Sequence, residues 1–363
     1  MKILDWYIIK QFLVTFLFAI LTITTIAIVI DTSEKADDFV KSGLSFTQII
    51  TKYYFGFVPF IISMIFPLIV FIAVIFFTSK MAARSETVAI LASGVPFPRM
   101  LRPFLVGGFI LATILWLGSR YVIPRAQEIH SNFKTTYIDR NSSYNPNSGK
   151  GNDFYFRADP VTFVGIRYYD TASKSANIFF MEKLKDNKVY YNLRADNIRW
   201  DTTRRKWRLE NATERKINGL KEDLKLFPEL YVNLNVLPKD LRRDEYLKDK
   251  MITPELKEYL RLEEVRGSEG LNTYKVELYR RNATPFSVLI LTVIGVAVSA
   301  RKTRGGSGLS LAFGIVMAAS FVVMDKFSTV FSTKGELNPF LAAWLPNIIF
   351  SIVAFIMYRR APK

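Results

Sequence analysis

The sequence predicts an α-helical membrane protein whose six transmembrane helices are split three and three by an inserted β-rich domain. Three observations carry this. Six apolar runs are long enough, or nearly so, to cross a bilayer, which takes about 20 residues. These runs are gathered at the two ends of the chain, and the middle is charged and polar. The middle also alternates apolar and polar residues with a period of two, the mark of half-buried strands.

The runs lie at about 8–30, 54–78, 104–122, 284–299, 309–330 and 339–358. The first starts beside Lys2 and Lys10, and no small-residue cleavage site follows it, so it reads as a retained signal anchor. Lys and Arg in short loops set the orientation. One side collects twelve: Lys2, Lys10, Lys80, Arg84, Arg99, Arg102, Arg301, Lys302, Arg304, Arg359, Arg360 and Lys363. The short loops of the other side hold four, Lys35, Lys41, Lys52 and Lys334. Both termini are therefore expected in the cytoplasm and the long middle segment outside. The layout divides as residues 1–124 for spans one to three, 125–250 for the β domain, 251–282 for a helical connection and 283–363 for spans four to six.

Between spans two and three, residues 80–103 read as a short helix, about 84–94. Ser85 is placed to cap its start, and Gly94 with Pro96 and Pro98 to end it. Val88, Leu91, Ala92 and Val95 fall on one apolar face, with Glu86, Ile90 and Ser93 on another. Such a helix either docks a partner protein or lies among lipid headgroups. In the β domain, Phe154/Phe156, Val161/Phe163, Ile178/Phe180, Val189/Tyr191/Leu193, Ile198/Trp200, Trp207/Leu209 and Val232/Leu234/Val236 mark strands. Asp186-Asn187, residues 201–206 and Asn218-Gly219 supply turns, and 141–152 reads as a flexible lead-in. Thr253 and Pro254 then open a helix with Leu256, Tyr259 and Leu260 on one side, and 271–281 is a second helical stretch.

Composition excludes several function classes. There is no cysteine, so no disulfide or thiolate chemistry, and a single histidine excludes multi-histidine metal sites. The formal charge of +17 is not a nucleic-acid footprint. Residues 124–282 contribute +7 on a mixed surface; the rest contributes +10, mostly beside apolar runs. The stretch Arg304-Gly-Gly-Ser-Gly308 lacks the lysine and preceding strand of a phosphate loop and reads as a tight turn. His130 reads as a surface histidine. Asp325 reads either as a functional group within span five or as a helix-end pair with Lys326. Lys35, Lys41, Arg120, Arg125 and Lys134 lie on the outer side, where basic residues are unusual. They are candidates for holding the phosphates of an anionic lipid; the alternative is snorkelling or pairing with Asp31, Glu34, Asp37 and Asp38.

Residues 272–314, NTYKVELYRRNATPFSVLILTVIGVAVSARKTRGGSGLSLAFG, resemble the hallmark block of the LptF/LptG (YjgP/YjgQ) lipopolysaccharide-export permeases. Residues 83–94, ARSETVAILASG, resemble that family's cytoplasmic coupling helix; 4–10 (LDWYIIK) and 206–209 (KWRL) also fit. The N-terminus, the coupling stretch and Met324-Asp325-Lys326 look closer to the LptG branch. The resemblance implies a non-enzymatic subunit of an ABC exporter in the bacterial inner membrane. It would pair with a second LptF/LptG-like permease and with a dimeric ATPase, LptB, that supplies ATP and Mg; this chain itself needs no cofactor. It implies a periplasmic β-jellyroll domain that hands lipopolysaccharide to LptC- and LptA-like jellyroll proteins. Arg84, Ser85, Glu86, Val88, Ile90 and Leu91 would then couple to the ATPase, with Glu86 at the family's glutamate position. Lys134 matches a phosphate-contact position, whereas Ile28 stands about where the family has a lysine. Lys35, Lys41, Arg120 and Arg125 are independent candidates. The rival readings are a membrane-anchored envelope scaffold and a force-transmitting ABC protein that moves no lipid itself.

Overall fold

Six helices that are long and apolar enough to span a bilayer, and one antiparallel sheet between them, make up the computed structural model. It describes residues 3–138, 152–170, 173–185, 188–219, 221–234, 236–238, 241, 246–268, 270–300 and 306–361. The helices are α1 Ile3–Glu34, α2 Ala36–Lys41, α3 Phe46–Ala83, α4 Glu86–Ala92, α5 Phe97–Ile138, α6 Leu247–Lys250, α7 Thr253–Arg266, α8 Asn272–Ser299, α9 Gly306–Lys334 and α10 Pro339–Arg360. The strands are β1 Asn152–Asp159, β2 Thr162–Asp170, β3 Ser175–Lys185, β4 Lys188–Asp201, β5 Lys206–Asn218 and β6 Lys221–Val232. The expected lead-in at 141–152, the Asp186-Asn187 turn and residues 301–305 fall wholly or almost wholly outside the described residues.

The chain forms two compact units. One comprises residues 1–131, 248–257 and 272–363; the other comprises 132–247 and 258–271. In the helical unit, α3 and α8 are packed on most sides. Ile8, Phe12, Phe16 and Ile20 of α1 recur about once a turn and bury against Phe66, Val70, Val74 and Phe77 of α3 and Leu101, Phe104 and Leu111 of α5. A second cluster joins Phe71 and Ile75 of α3 to Leu291 and Ile294 of α8, Ala318 of α9 and Phe350 of α10. Close approach explains the Ile294-Gly295 pair of the hallmark block. A Cβ on Gly295 would stand 2.8 Å from a Val74 methyl. Likewise a Cβ on Gly56 would meet the backbone of Ala126 and His130 at 2.5 Å.

The expected helical stretch at 271–281 and span four form one continuous helix, α8, from Asn272 to Ser299. His130 is a correction. It is buried, with its ring packed against Tyr53, Phe57 and Phe60 of α3 at centroid distances of 5.1–5.7 Å.

In the β unit the six strands pair in chain order, β1 to β6, as an antiparallel meander. Its core gathers Val164, Ile166, Phe179, Leu193, Ile198, Trp207 and Leu209. Trp207 and Leu209 face inward and the Trp207 indole donates to the Val236 carbonyl at 2.8 Å, which accounts for the Lys-Trp-Arg-Leu stretch. Asp201 accepts from the amides of Thr203 and Arg204, forming the expected turn between β4 and β5. Two details overturn the simple alternation. Ile178 has φ 61° and Tyr168 φ 56°, and the register of β2 with β3 shifts beside Arg167. The bulge turns Phe179 inward and leaves Ile178 exposed; Val164 and Ile166, rather than Val161 and Phe163, fill β2's share of the core. Leu234 and Val236 are buried, but beyond the end of β6 at Val232.

Candidate functional site

Two residues, Arg84 and Ser85, link α3 to α4. The Arg84 amide bonds the Lys80 carbonyl, the Ser85 amide bonds the Ala82 carbonyl, and Ser85 adopts φ 60°. A left-handed residue cannot place its side chain as an N-cap does, so the expected Ser85 cap is absent; its carbonyl instead accepts the Ala89 amide and starts α4. At the other end Gly94, with φ 81°, closes the helix through its amide to the Leu91 carbonyl.

The faces of α4 also differ from the expected ones. Thr87 is buried, and Ile90 and Leu91 pack on the core of the helical unit. Val88, at 47% exposure, and Ala92 point outward. Physically, the i, i+3, i+4 triplet nearest the bundle wins, and Val95 already lies past the glycine. Of the expected coupling residues, Arg84, Ser85, Glu86 and Val88 are therefore presented together, while Ile90 and Leu91 anchor the helix. Arg84 and Glu86 approach to 3.9 Å, a solvent-screened pair that contributes little to stability.

Beside this helix is a joint that sequence reasoning missed. Arg99, in the first turn of α5, donates two parallel hydrogen bonds of 2.8 Å to the two carboxylate oxygens of Asp5 on α1. Asp5 is buried, so the fork fixes where the first span meets the third. Arg99 entered the sequence reading only as a topology charge.

At the opposite end of α1, about 40 Å away at 1.5 Å per residue, the candidate phosphate ligands have different surroundings. The Lys35 ammonium donates to Asp31 at 2.7 Å and to the Tyr53 hydroxyl. Arg120 stacks on Trp116, 3.9 Å from the ring centroid, and bonds Asn282 of α8 at 3.1 Å. Arg125 is exposed and reaches Glu128 at 3.4 Å and Glu255 at 3.9 Å. Lys41 is exposed at the end of α2. Lys134 belongs to the β unit's residues and sits 5.3 Å from the Tyr246 ring. Lys35 and Arg120 are thus engaged in contacts between helices, and Lys41 and Arg125 present their charge.

The first half of α8 holds the other feature missed. Arg281 is 4% exposed. It donates to the carbonyls of Lys248 at 2.9 Å and Met251 at 2.8 Å, and to Glu277 at 3.1 Å, with Thr253 Oγ1 at 3.3 Å. Arg280 donates to the same Glu277 at 2.8 Å and lies 3.9 Å from Asp325 of α9. Asp325 thus faces Arg280 across two helices and is not merely a helix-end partner of Lys326. This network ties α6 and the start of α7 to α8. Asp249 of α6 lies within it. Burial, with Glu277 adding to it, pushes its carboxyl up to about 6 against the pull of Lys248, Arg280 and Arg281. The signal was present in the Lys-x-Glu-Leu-x-Arg-Arg string: four charged residues that a span would otherwise expel need partners.

Among the described residues no group of His, Asp and Glu side chains forms a metal-binding cluster. The model of the family described as lipopolysaccharide export system permease LptF/LptG matches residues 6–360, nearly the whole chain. No curated protein matches it. The chain belongs to the LptF/LptG permease family.

Proposed function

We propose that this member of the lipopolysaccharide-export permeases is the subunit that converts ATP use by a separate cytoplasmic ATPase dimer into movement of lipopolysaccharide. In this reading the chain lies in the bacterial inner membrane with both termini and α4 in the cytoplasm. The β unit lies in the periplasm, where it hands lipid to jellyroll proteins of the LptC and LptA kind. A second LptF/LptG-like permease completes the lipid cavity. The observation that carries the coupling role is the build of α4. Thr87, Ile90 and Leu91 root it in the bundle, while Arg84, Glu86 and Val88 stand outward. A partner that pushes on this face moves α3 and α5 with it, and through Asp5–Arg99 also α1.

The chemistry of the outer end suits an anionic lipid. Lys41 and the exposed Arg125 would turn their charge to phosphates, Arg125 by leaving Glu128 and Glu255, and the resemblance alone adds Lys134. Lys35 and Arg120 would exchange Asp31 and Asn282 for phosphate oxygens as lipid enters. The test is Glu86→Lys in the full complex. It should lower ATPase co-purification at least tenfold and abolish lipid extraction, while the amount of inserted protein stays at wild type. Wild-type co-purification and extraction by this variant would remove the coupling assignment.

A further inference from the structure

A groove of about 440 Å³ opens on the helical unit between α5, α8 and α10, away from the outer-end basic residues. Leu101, Leu105, Val293, Ala354 and Phe355 make its apolar walls, and Arg102 and Tyr358 complete it. The Arg359 guanidinium lies 5.2 Å from the centroid of the Phe355 ring, which brings a second cation to the same opening. Arg102 and Arg359 are exposed, and among the described residues neither has an acidic partner.

Position along the helices gives the groove a polarity. Arg102 lies in the second turn of α5 and Arg359 in the last turn of α10, so both guanidinium groups stand at helix ends. Leu105 and Val293 lie deeper along their helices. A spanning helix meets headgroups at its end and acyl chains further in. An occupant must therefore carry an anionic head and an apolar tail. A protein segment would need acidic residues beside a long apolar stretch at membrane depth, whereas a lipid of the bilayer meets both demands. We propose that this groove binds an anionic glycerophospholipid, its phosphate between Arg102 and Arg359 and one acyl chain along Leu105, Val293 and Phe355. Two guanidinium groups without a carboxylate favour a net negative headgroup over a zwitterionic one. The inference goes beyond the transport reading, and requires only that the six helices lie in a bilayer.

The test uses the full chain in detergent, with native mass spectrometry and thermal unfolding after adding phosphatidylglycerol, phosphatidylcholine or inorganic phosphate. Phosphatidylglycerol should be retained and should raise the melting temperature; phosphatidylcholine and inorganic phosphate should do neither. Arg102→Gln with Arg359→Gln should cut phosphatidylglycerol retention at least fivefold. Leu105→Trp, which fills the groove and keeps both arginines, should cut it similarly. Equal retention of the two lipids, wild-type retention by the double variant, or an equal shift with inorganic phosphate would overturn the proposal. None of these readouts depends on ATPase or on lipopolysaccharide, so a failure here is separable from a failure of the coupling role.

Discussion

The two ends of the helical bundle are held by charge in different ways. At the α4 end a single carboxylate, Asp5, and a single guanidinium, Arg99, join α1 to α5. At the other end Arg281 and Arg280 spread over two carbonyls, a hydroxyl and two carboxylates from α6, α7, α8 and α9. The fork depends on one residue on each helix, whereas the network keeps other contacts when any one acceptor is lost. Under the proposed coupling, the end that would receive the push depends on one ion pair and the far end on several contacts.

The sharpest way to break this comparison is Arg281→Ala. It strands buried acceptors and leaves Glu277 with one cation fewer, a loss of about 3–5 kcal/mol for a buried pair. Expression followed by size-exclusion chromatography should show little folded protein, and Arg281→Lys should recover only part of it, since one ammonium cannot span the same acceptors. Arg99→Gln should act differently. Melting temperature and yield should fall less than for Arg281→Ala, while ATP-driven lipid extraction by the complex should be lost. Exchanging the pair, Asp5→Arg with Arg99→Asp, should restore part of the extraction. If Arg99→Gln and Arg281→Ala lower the melting temperature equally, the two ends are not distinct.

The smallest effect is in the pH response. A carboxyl raised on folding binds its proton more tightly in the folded state, so its contribution is fully present below the usual carboxylate range and is lost as pH rises through about 6. Asp249 faces Glu277, Lys248, Arg280 and Arg281. Asp249→Asn should therefore raise the melting temperature at pH 8 relative to wild type and change it little at pH 4.5. Thermal unfolding between those values checks this, and a gain that is independent of pH would show that Asp249 does not titrate there.

The six spans and the inserted sheet were legible because their signals are long: apolar runs of bilayer length and period-two alternation over many residues. What was hidden depends on contacts. The helical stretch at 271–281 was legible, but not the partners its charges find, the backbone carbonyls of Lys248 and Met251 and the carboxylate of Asp325. Ser85 has capping chemistry, but the tight turn needs a left-handed residue there. One bulge at Ile178 exchanged the inward residue of β3. Glu86 became a candidate only through the resemblance, since a half-exposed glutamate on a short helix has no local signature of its own.

The pairing order of the sheet bears on how the molecule is made. Each strand bonds the next one in sequence, so every ladder can close as a hairpin soon after its second strand leaves the ribosome. The helical bundle has the opposite schedule. Phe71 and Val74 of α3 wait for Leu291 and Gly295 of α8, which are synthesised only after the whole β segment. During that interval the α3 face that Leu291 and Gly295 later cover has acyl chains to pack against, so closing the bundle exchanges lipid contacts for helix contacts.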